Sequence, residues 1–340
     1  MDKPKKSRSI WLRLSLGLVV SALAIFAVLK FVNLDDLKIA LATVSWKFIL
    51  IIVILDILGL FVRGKAWQTI LGNKISLIQS FFGVSEGYFL NNILPFRGGE
   101  FGRSFFVGRS SGLGTFYTLS TIVIERAFDI AFAALLLILT LPFLPGLDWA
   151  KPIAIIALGV IISGMIGLFL LTRYKEKVII WISKRENKSR IYSFIIPKTR
   201  NLIEGFSSIR RPSQFFLSLF WIAACWAVWS GIYYFAMIQV VPGSPLWTGA
   251  FIAAVLALGV AIPSAPAALG VFEAAFTGAV VLIGGSASTG FAYALTLHLI
   301  QFVLVGILGI WGLYRDGTSL SAFIGEVMKK DSHPNPIGLE

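Results

Sequence analysis

Cysteine and histidine are almost missing from this chain, with one Cys (Cys225) and two His (His298, His333) in 340 residues. So few thiols and imidazoles exclude a disulfide framework, a Cys/His zinc site and a metal cluster. Charge is scarce too: Asp, Glu, Lys and Arg make up 14% of the chain, against roughly 25% in an ordinary soluble domain. No P-loop is present, because the Gly-rich run Gly108 to Gly114 lacks the Lys-Ser/Thr ending that cradles phosphate, and there is no His-Glu-x-x-His helix. No metal and no cofactor is therefore expected, and no nucleic-acid partner. What the chain has instead is 57% hydrophobic residues and a mean hydropathy of +0.84. A soluble fold of this length needs far more polar surface, so the apolar surplus must face lipid.

About 20 apolar residues cross the hydrocarbon as a helix, and on that basis six spans are expected. They are Trp11 to Val32, Phe48 to Val62 closed by Arg63 and Lys65, Phe116 to Leu144, Ile153 to Leu171, Phe215 to Val240, and Phe291 to Leu313. The first has a basic prefix and a small triplet, Ala22-Leu23-Ala24, like a signal peptide, but its apolar run continues past the triplet, so a retained anchor is expected. Two further stretches are broken, Ile78 to Val107 at Pro95-Phe96-Arg97-Gly98-Gly99 and Trp247 to Ile283 at Pro263-Ser264-Ala265-Pro266. Proline removes a donor and glycine loosens the helix, and the freed backbone is tolerated only in protein or beside water.

Lys and Arg outnumber Asp and Glu by 30 to 17, a net +13. Eleven of the basic residues and only three Glu fall between Arg173 and Arg211, whereas 242–245 and 284–289 carry no charge. By the positive-inside rule both termini, the Arg63 to Lys74 connection and the 173–211 loop are cytoplasmic. Apolar residues in that loop (Val178, Ile179, Trp181, Ile182, Leu202, Ile203, Phe206) give it an amphipathic pattern suited to an anionic leaflet. With both termini inside, six spans require each broken stretch to leave on the side it entered. The expected fold is thus all-α: one polytopic membrane bundle over residues 1–315, with two oppositely directed re-entrant hairpins and a cytoplasmic tail at 316–340. Oppositely directed hairpins are what an inverted repeat would produce, and Pro95 to Glu100 and Pro266 to Glu273 share Pro, Gly and Glu in order.

Charges inside a membrane cost about 2.5 to 3.5 kcal/mol each unless partnered, so they mark candidate sites. Arg97, Glu100, Arg103 and Arg109 follow the first break, Glu125, Arg126 and Asp129 lie in the next span, and Glu273 follows the second break. Four arginines and four carboxylates balance, as a buried network requires. Glu125 and Asp129, four apart, share a helix face. Arg97 and Arg103, beside the free N–H groups of a half-helix, suit phosphate oxygens, and Asn91 and Asn92 can cap the preceding half-helix or bond a headgroup. The other reading of these residues is a ligand-free set of ion pairs and caps. Glu273 must pair at a distance, protonate or meet water, and an arginine of the first hairpin is one candidate partner. His298 and Gln301, one turn apart, are candidates for gating or a proton relay, although a lone intramembrane His more often packs.

The runs Asn92-Ile93-Leu94-Pro95-Phe96-Arg97-Gly98-Gly99-Glu100-Phe101-Gly102-Arg103, Glu125-Arg126-Ala127-Phe128-Asp129, and Pro263 to Pro266 with Gly270-Val271-Phe272-Glu273 resemble the lysylphosphatidylglycerol synthase and flippase-like membrane family. Arg63 and Trp67 look like the family's Arg/Trp pair ending its second helix. The resemblance implies a bacterial or archaeal plasma-membrane domain with re-entrant helices, associated with moving aminoacylated phospholipid between leaflets. Better-known members continue into a soluble aminoacyl-transfer domain. Only 316–340 follows the last span here, so lipid synthesis is not expected and the chain is not expected to be an enzyme. The leading expectation is a flippase for a phospholipid or a polyprenyl-phosphate-linked lipid, bound by Asn92, Arg97, Glu100, Arg103, Glu125, Arg126, Asp129 and Glu273. The alternative is a scaffold that docks a separately encoded lipid-modifying or glycosyltransferase enzyme; a membrane-embedded transferase ranks last. Expected partners are anionic headgroups and such an enzyme, with a homodimer left open.

Overall fold

The computed structural model describes residues 19–315 except 95–97, 145, 147–149, 175–176, 178–179, 181–199, 202, 210 and 263. Arg97, Pro95, Pro263, most of the basic loop and the 316–340 tail therefore lie outside the described residues. The regular elements among them are helices, with no strand: α1 Val19–Leu29, α2 Leu34–Thr43, α3 Trp46–Ile70, α4 Leu77–Ile93, α5 Gly99–Ser110, α6 Thr115–Thr140, α7 Ala150–Arg173, α8 Pro212–Val240, α9 Trp247–Val260, α10 Val271–Leu282 and α11 Ala287–Arg315. Among them α8 and α11 are long and apolar enough to cross a bilayer, and α2 with α3 passes the same test as one segment bent by 77°.

Two local differences from the expected spans have simple causes. The short helix α2 was not expected; it starts because the Asn33 side chain accepts from the Asp35 and Asp36 N–H groups, satisfying two orphan donors of the first turn. Helix α3 does not close at Arg63 and Lys65 but runs on to Ile70, ending before Gly72 and Asn73, whose φ of 73° and 57° leave the helical region. Charge stops an apolar run on a hydropathy count, yet Arg and Lys are good helix formers and only a backbone that turns left-handed ends the ladder.

Both helix breaks fall where the proline and glycine clusters lie. Helix α4 gives way at Leu94, which is extended, and α5 restarts at Gly99. The Asn91 side chain accepts from the Gly99 N–H at 2.9 Å, so it caps the amino end of the second half-helix and not the carboxyl end of the first. Between α9 and α10, Pro266–Ala268 forms a single 3-10 turn in which Ala267 and Ala268 sit at φ 60° and 56°, followed by Gly270 at φ 83°. The turn is held from outside by α1, because the Ala265 N–H donates to Ser21 Oγ at 2.9 Å. Left-handed backbone costs an alanine about 1 kcal/mol, only part of which a glycine would return as unfolded-chain entropy. Ala268→Gly is therefore expected to stabilise by about 0.5 kcal/mol, and Ala268→Val to destabilise, in thermal unfolding followed in detergent.

Helix packing shows a regular correspondence. Helix α3 packs on α8; α3 packs on α4 as α8 does on α9; α4 on α5 as α9 on α10; α5 on α6 as α10 on α11; and α4 on α11 as α9 on α6. Exchanging α3–α6 for α8–α11 turns the α3–α8 pair into itself and each of the others into its counterpart. The two broken elements are thereby each wedged between the helix before them and the helix that follows the other break.

Candidate functional site: a charged cleft between the two helix breaks

The charge cluster is assembled from three helices. Arg63 of α3 donates from both terminal nitrogens to Asp129 of α6, at 2.7 and 2.5 Å, and also contacts Glu125. Arg103 of α5 makes a second fork, to the two Glu125 oxygens at 3.2 and 2.7 Å. Arg126 completes the group, reaching Glu125 at 3.0 Å, Asp129 at 3.4 Å and Glu100 at 3.4 Å. Paired forks of this kind are the geometry in which guanidinium and carboxylate offset their desolvation best. Glu125 and Asp129 reach Arg63 together because four residues along a helix bring them to one face.

Aromatic rings close the cluster. The Arg103 guanidinium stacks 3.6 Å from the Trp67 ring centroid, Trp67 Nε1 donates to Thr121 Oγ1 at 3.1 Å, and Trp226 Nε1 donates to Asp129 at 3.3 Å. A ring face against a desolvated guanidinium adds an attraction that water cannot screen. Arg63, Arg103 and Trp67 are among the largest fully buried side chains, whereas the Arg126 side chain stays 31% exposed.

That exposure is to a cavity of about 650 Å³ lying between the two breaks. Glu100, Arg126 and Asp129, Asn91 and Asn92 of α4, and His298 and Gln301 of α11 all line it. Tyr88, Trp226, Trp229 and Tyr233 supply an aromatic side, and Ser264, Ala265, Ala267 and Ala268 bring the second break to the same space. Ile130, Ile262 and Phe302 also line it while remaining 48%, 52% and 43% exposed, so it is an open cleft with an apolar rim. Arg126 Nε and Glu100 Oε2 are buried without a hydrogen-bond partner, which leaves capacity on the charged wall.

Of the residues singled out from sequence, Asn92, Glu100, Arg126, Asp129, His298 and Gln301 come together in the cleft. Arg103 and Glu125 do not line it; they face each other and Arg63 behind the wall. Glu273 also stands one layer back, with Oε1 2.6 Å from His298 Nδ1 and Oε2 accepting the Gly270 N–H at 2.7 Å. Its ionic contact among the described residues is thus a histidine, where an arginine of the first hairpin was one candidate. Arg97 lies outside the described residues.

Sequence reasoning missed several groups. On hydropathy alone Arg63 only closes an apolar span, and the Arg63 and Trp67 pair of the resemblance is the one sequence signal that ties both to the cluster. Glu86 of α4, fully buried beside Gly312 of α11, and Asp56 of α3 are single acids in apolar runs, which a window average conceals. The aromatic side of the cleft had no signal, because Trp226, Trp229 and Tyr233 sit on an α8 that is apolar all round.

Apolar helices long enough to cross a bilayer, with a buried ion network and a polar cleft among them, define a membrane-embedded helical protein. The chain belongs to the family described as the lysylphosphatidylglycerol synthase TM region, whose profile matches residues 14–309. It is also similar to the UPF0104 membrane protein MJ1595 of Methanocaldococcus jannaschii, with 29% identity over 119 residues. That match spans 34% of this chain and 35% of the relative.

Proposed function

We propose that the protein is a lipid transporter of flippase type, which carries the phosphate-bearing headgroup of a phospholipid or polyprenyl-phosphate lipid through the cleft while the tails stay in the bilayer. The observation that carries this reading is the 650 Å³ cleft itself, charged at Arg126, Glu100 and Asp129 and rimmed by exposed apolar residues. Its size suits a headgroup, its polar wall offers the partly exposed Arg126 guanidinium, and its apolar rim suits acyl chains. Membership of a lysylphosphatidylglycerol synthase membrane family agrees with a lipid-related role.

In this reading Arg126 contacts the phosphate directly, Asn92 and the carboxylates Glu100 and Asp129 receive donor groups of the headgroup, and Arg63, Arg103 and Glu125 hold the wall in place. Arg97 adjoins the same hairpin in sequence and is assigned to the headgroup with it. The chain crosses the plasma membrane six times with both termini cytoplasmic. The two broken helix pairs are oppositely directed re-entrant hairpins of an inverted repeat, a relation supported by the matched packing of α3–α6 and α8–α11. Transport, and no covalent catalysis, is the activity assigned.

Reconstitution in liposomes with fluorescent phosphatidylglycerol tests the assignment. Wild type is expected to move the tracer between leaflets, and Arg126→Gln to slow it at least about tenfold, the worth of one or two charge-assisted hydrogen bonds. A wild type that leaves exchange at the rate of empty liposomes would defeat the reading, as would an unimpaired Arg126→Gln.

A further inference from the structure

The correspondence between the two halves extends to individual side chains. Arg126 and His298 each lie eleven residues past the first residue of their helices, Thr115 of α6 and Ala287 of α11. Each contacts a glutamate in the first turn of the preceding half-helix: Arg126 meets Glu100, the second residue of α5, and His298 meets Glu273, the third residue of α10. Both bases line the cleft. One half therefore presents an acid paired with a permanent cation, and the other presents an acid paired with imidazole, the side chain that exchanges a proton near neutral pH.

The charge balance of the cleft gives that difference a consequence. Arg63, Arg103 and Arg126 are matched by Glu100, Glu125 and Asp129, three against three among the described residues. With His298 neutral, Glu273 adds one uncompensated negative charge beside the cleft; with His298 protonated, the pair is neutral. Other titratable groups stand on the helices packed against it, among them the buried Glu86 of α4, beside Gly312 of α11, and Asp56 of α3. Tyr88, Asn91 and Asn92 of α4, Tyr233 of α8 and Gln301 of α11 line the cleft, and α9 carries no titratable group. Asp35, Asp36 and Lys38 of α2 lie at the exposed end of the helix that packs on α11. Facing an ionised carboxylate, which only accepts, Nδ1 is assigned as the N–H donor to Glu273 Oε1, and Nε2 keeps the lone pair that can take a proton from water. Phe272, its ring centroid 4.6 Å from that of the imidazole and tilted by 37°, packs against the ring.

We infer that the Glu273–His298 pair is a proton-binding site, the titratable counterpart of Glu100–Arg126, and that it takes up one proton as an anionic phosphate headgroup occupies the cleft. The inference rests on the transport reading for its ligand, though not for its chemistry. A bound anion favours the protonated imidazole, and by linkage the protonated imidazole favours the anion by the same factor. Lower pH therefore strengthens headgroup binding, and a proton gradient biases the direction in which headgroups are loaded.

The test is binding of glycerophosphoglycerol, a phosphodiester whose charge is the same at about pH 6 and about pH 8, to the full chain in detergent, read by intrinsic tryptophan fluorescence, together with exchange of fluorescent phosphatidylglycerol in liposomes. Wild type is expected to bind about fivefold or more tightly near pH 6 than near pH 8. His298→Gln, which keeps a hydrogen bond to Glu273, is expected to bind weakly with no such dependence. His298→Arg, which copies the other half, is expected to bind tightly at both pH values. A wild-type affinity that does not change between about pH 6 and pH 8, or a dependence that survives in His298→Gln, overturns the inference; the wild-type measurement decides even if a variant fails to fold. If binding depends on pH through His298 but no lipid is exchanged at any pH, the proton site stands and the transport reading falls.

Discussion

Glu125→Ala is expected to destabilise the protein by about 3 to 5 kcal/mol, the cost of leaving buried cations without their counter-ion. Glu125 is fully buried and touches three arginines, Arg63, Arg103 and Arg126. Its removal leaves Arg103 with no carboxylate at all among the contacts described for it, and Arg63 with Asp129 alone. Thermal unfolding in detergent, followed by loss of the monodisperse peak in size-exclusion chromatography, measures the effect. The double variant Arg103→Leu with Glu125→Leu should be more stable than Glu125→Ala, because it removes a cation together with its anion and fills the space with apolar atoms. Were Glu125→Ala to unfold within about 1 kcal/mol of wild type, the cluster would be too wet for the desolvation reasoning to apply.

Gly99→Ala is expected to abolish transport and to destabilise by about 3 kcal/mol, the upper end of what overpacking costs. A Cβ at Gly99 would run into the Gly87 carbonyl oxygen, and into the Asn91 backbone nitrogen and side-chain oxygen, each at 2.7 Å. These are backbone atoms and a side chain already used to cap α5, so α4 and α5 must part for the methyl group to fit. Glu100 is the next residue and belongs to the charged wall of the cleft, which ties the same movement to function. Gly278→Ala in α10 is the control: nothing lies within 4 Å of its added Cβ, and it should leave stability unchanged or raise it by up to about 1 kcal/mol. Wild-type exchange rates in Gly99→Ala would show that the hairpin can open there without cost.

Much of this site was legible because parts of it are local. Pro95 to Gly99 and Pro263 to Gly270 locate the helix breaks, since a missing donor and a permissive backbone act wherever they occur. The common face of Glu125 and Asp129 follows from helical spacing alone. Other parts were not legible because they depend on which helices meet. Arg63 and Asp129 are 66 residues apart, and Glu273 and His298 are 25 apart across a loop. Nothing in either segment says which partner the packing will bring. Arg103 shows the reverse case: its sequence setting, beside a half-helix amino end, suits phosphate, yet Glu125 and Trp67 occupy its guanidinium.

By itself the sequence determined that the protein is an all-helical membrane protein, that its helices break twice, and that its intramembrane charges gather near the breaks. Those properties follow from hydropathy, from proline and glycine, and from the cost of burying charge, all of which act over a few residues. Only the tertiary structure decided which charges are spent on each other and which face open space. Packing α5, α6 and α3 together buries Arg63, Arg103 and Glu125 in one network, while Arg126, Glu100, Asp129 and His298 are left to line one cleft. A buried ion commits to the nearest partner that can offset its desolvation, and the identity of that partner is set by the three-dimensional meeting of helices.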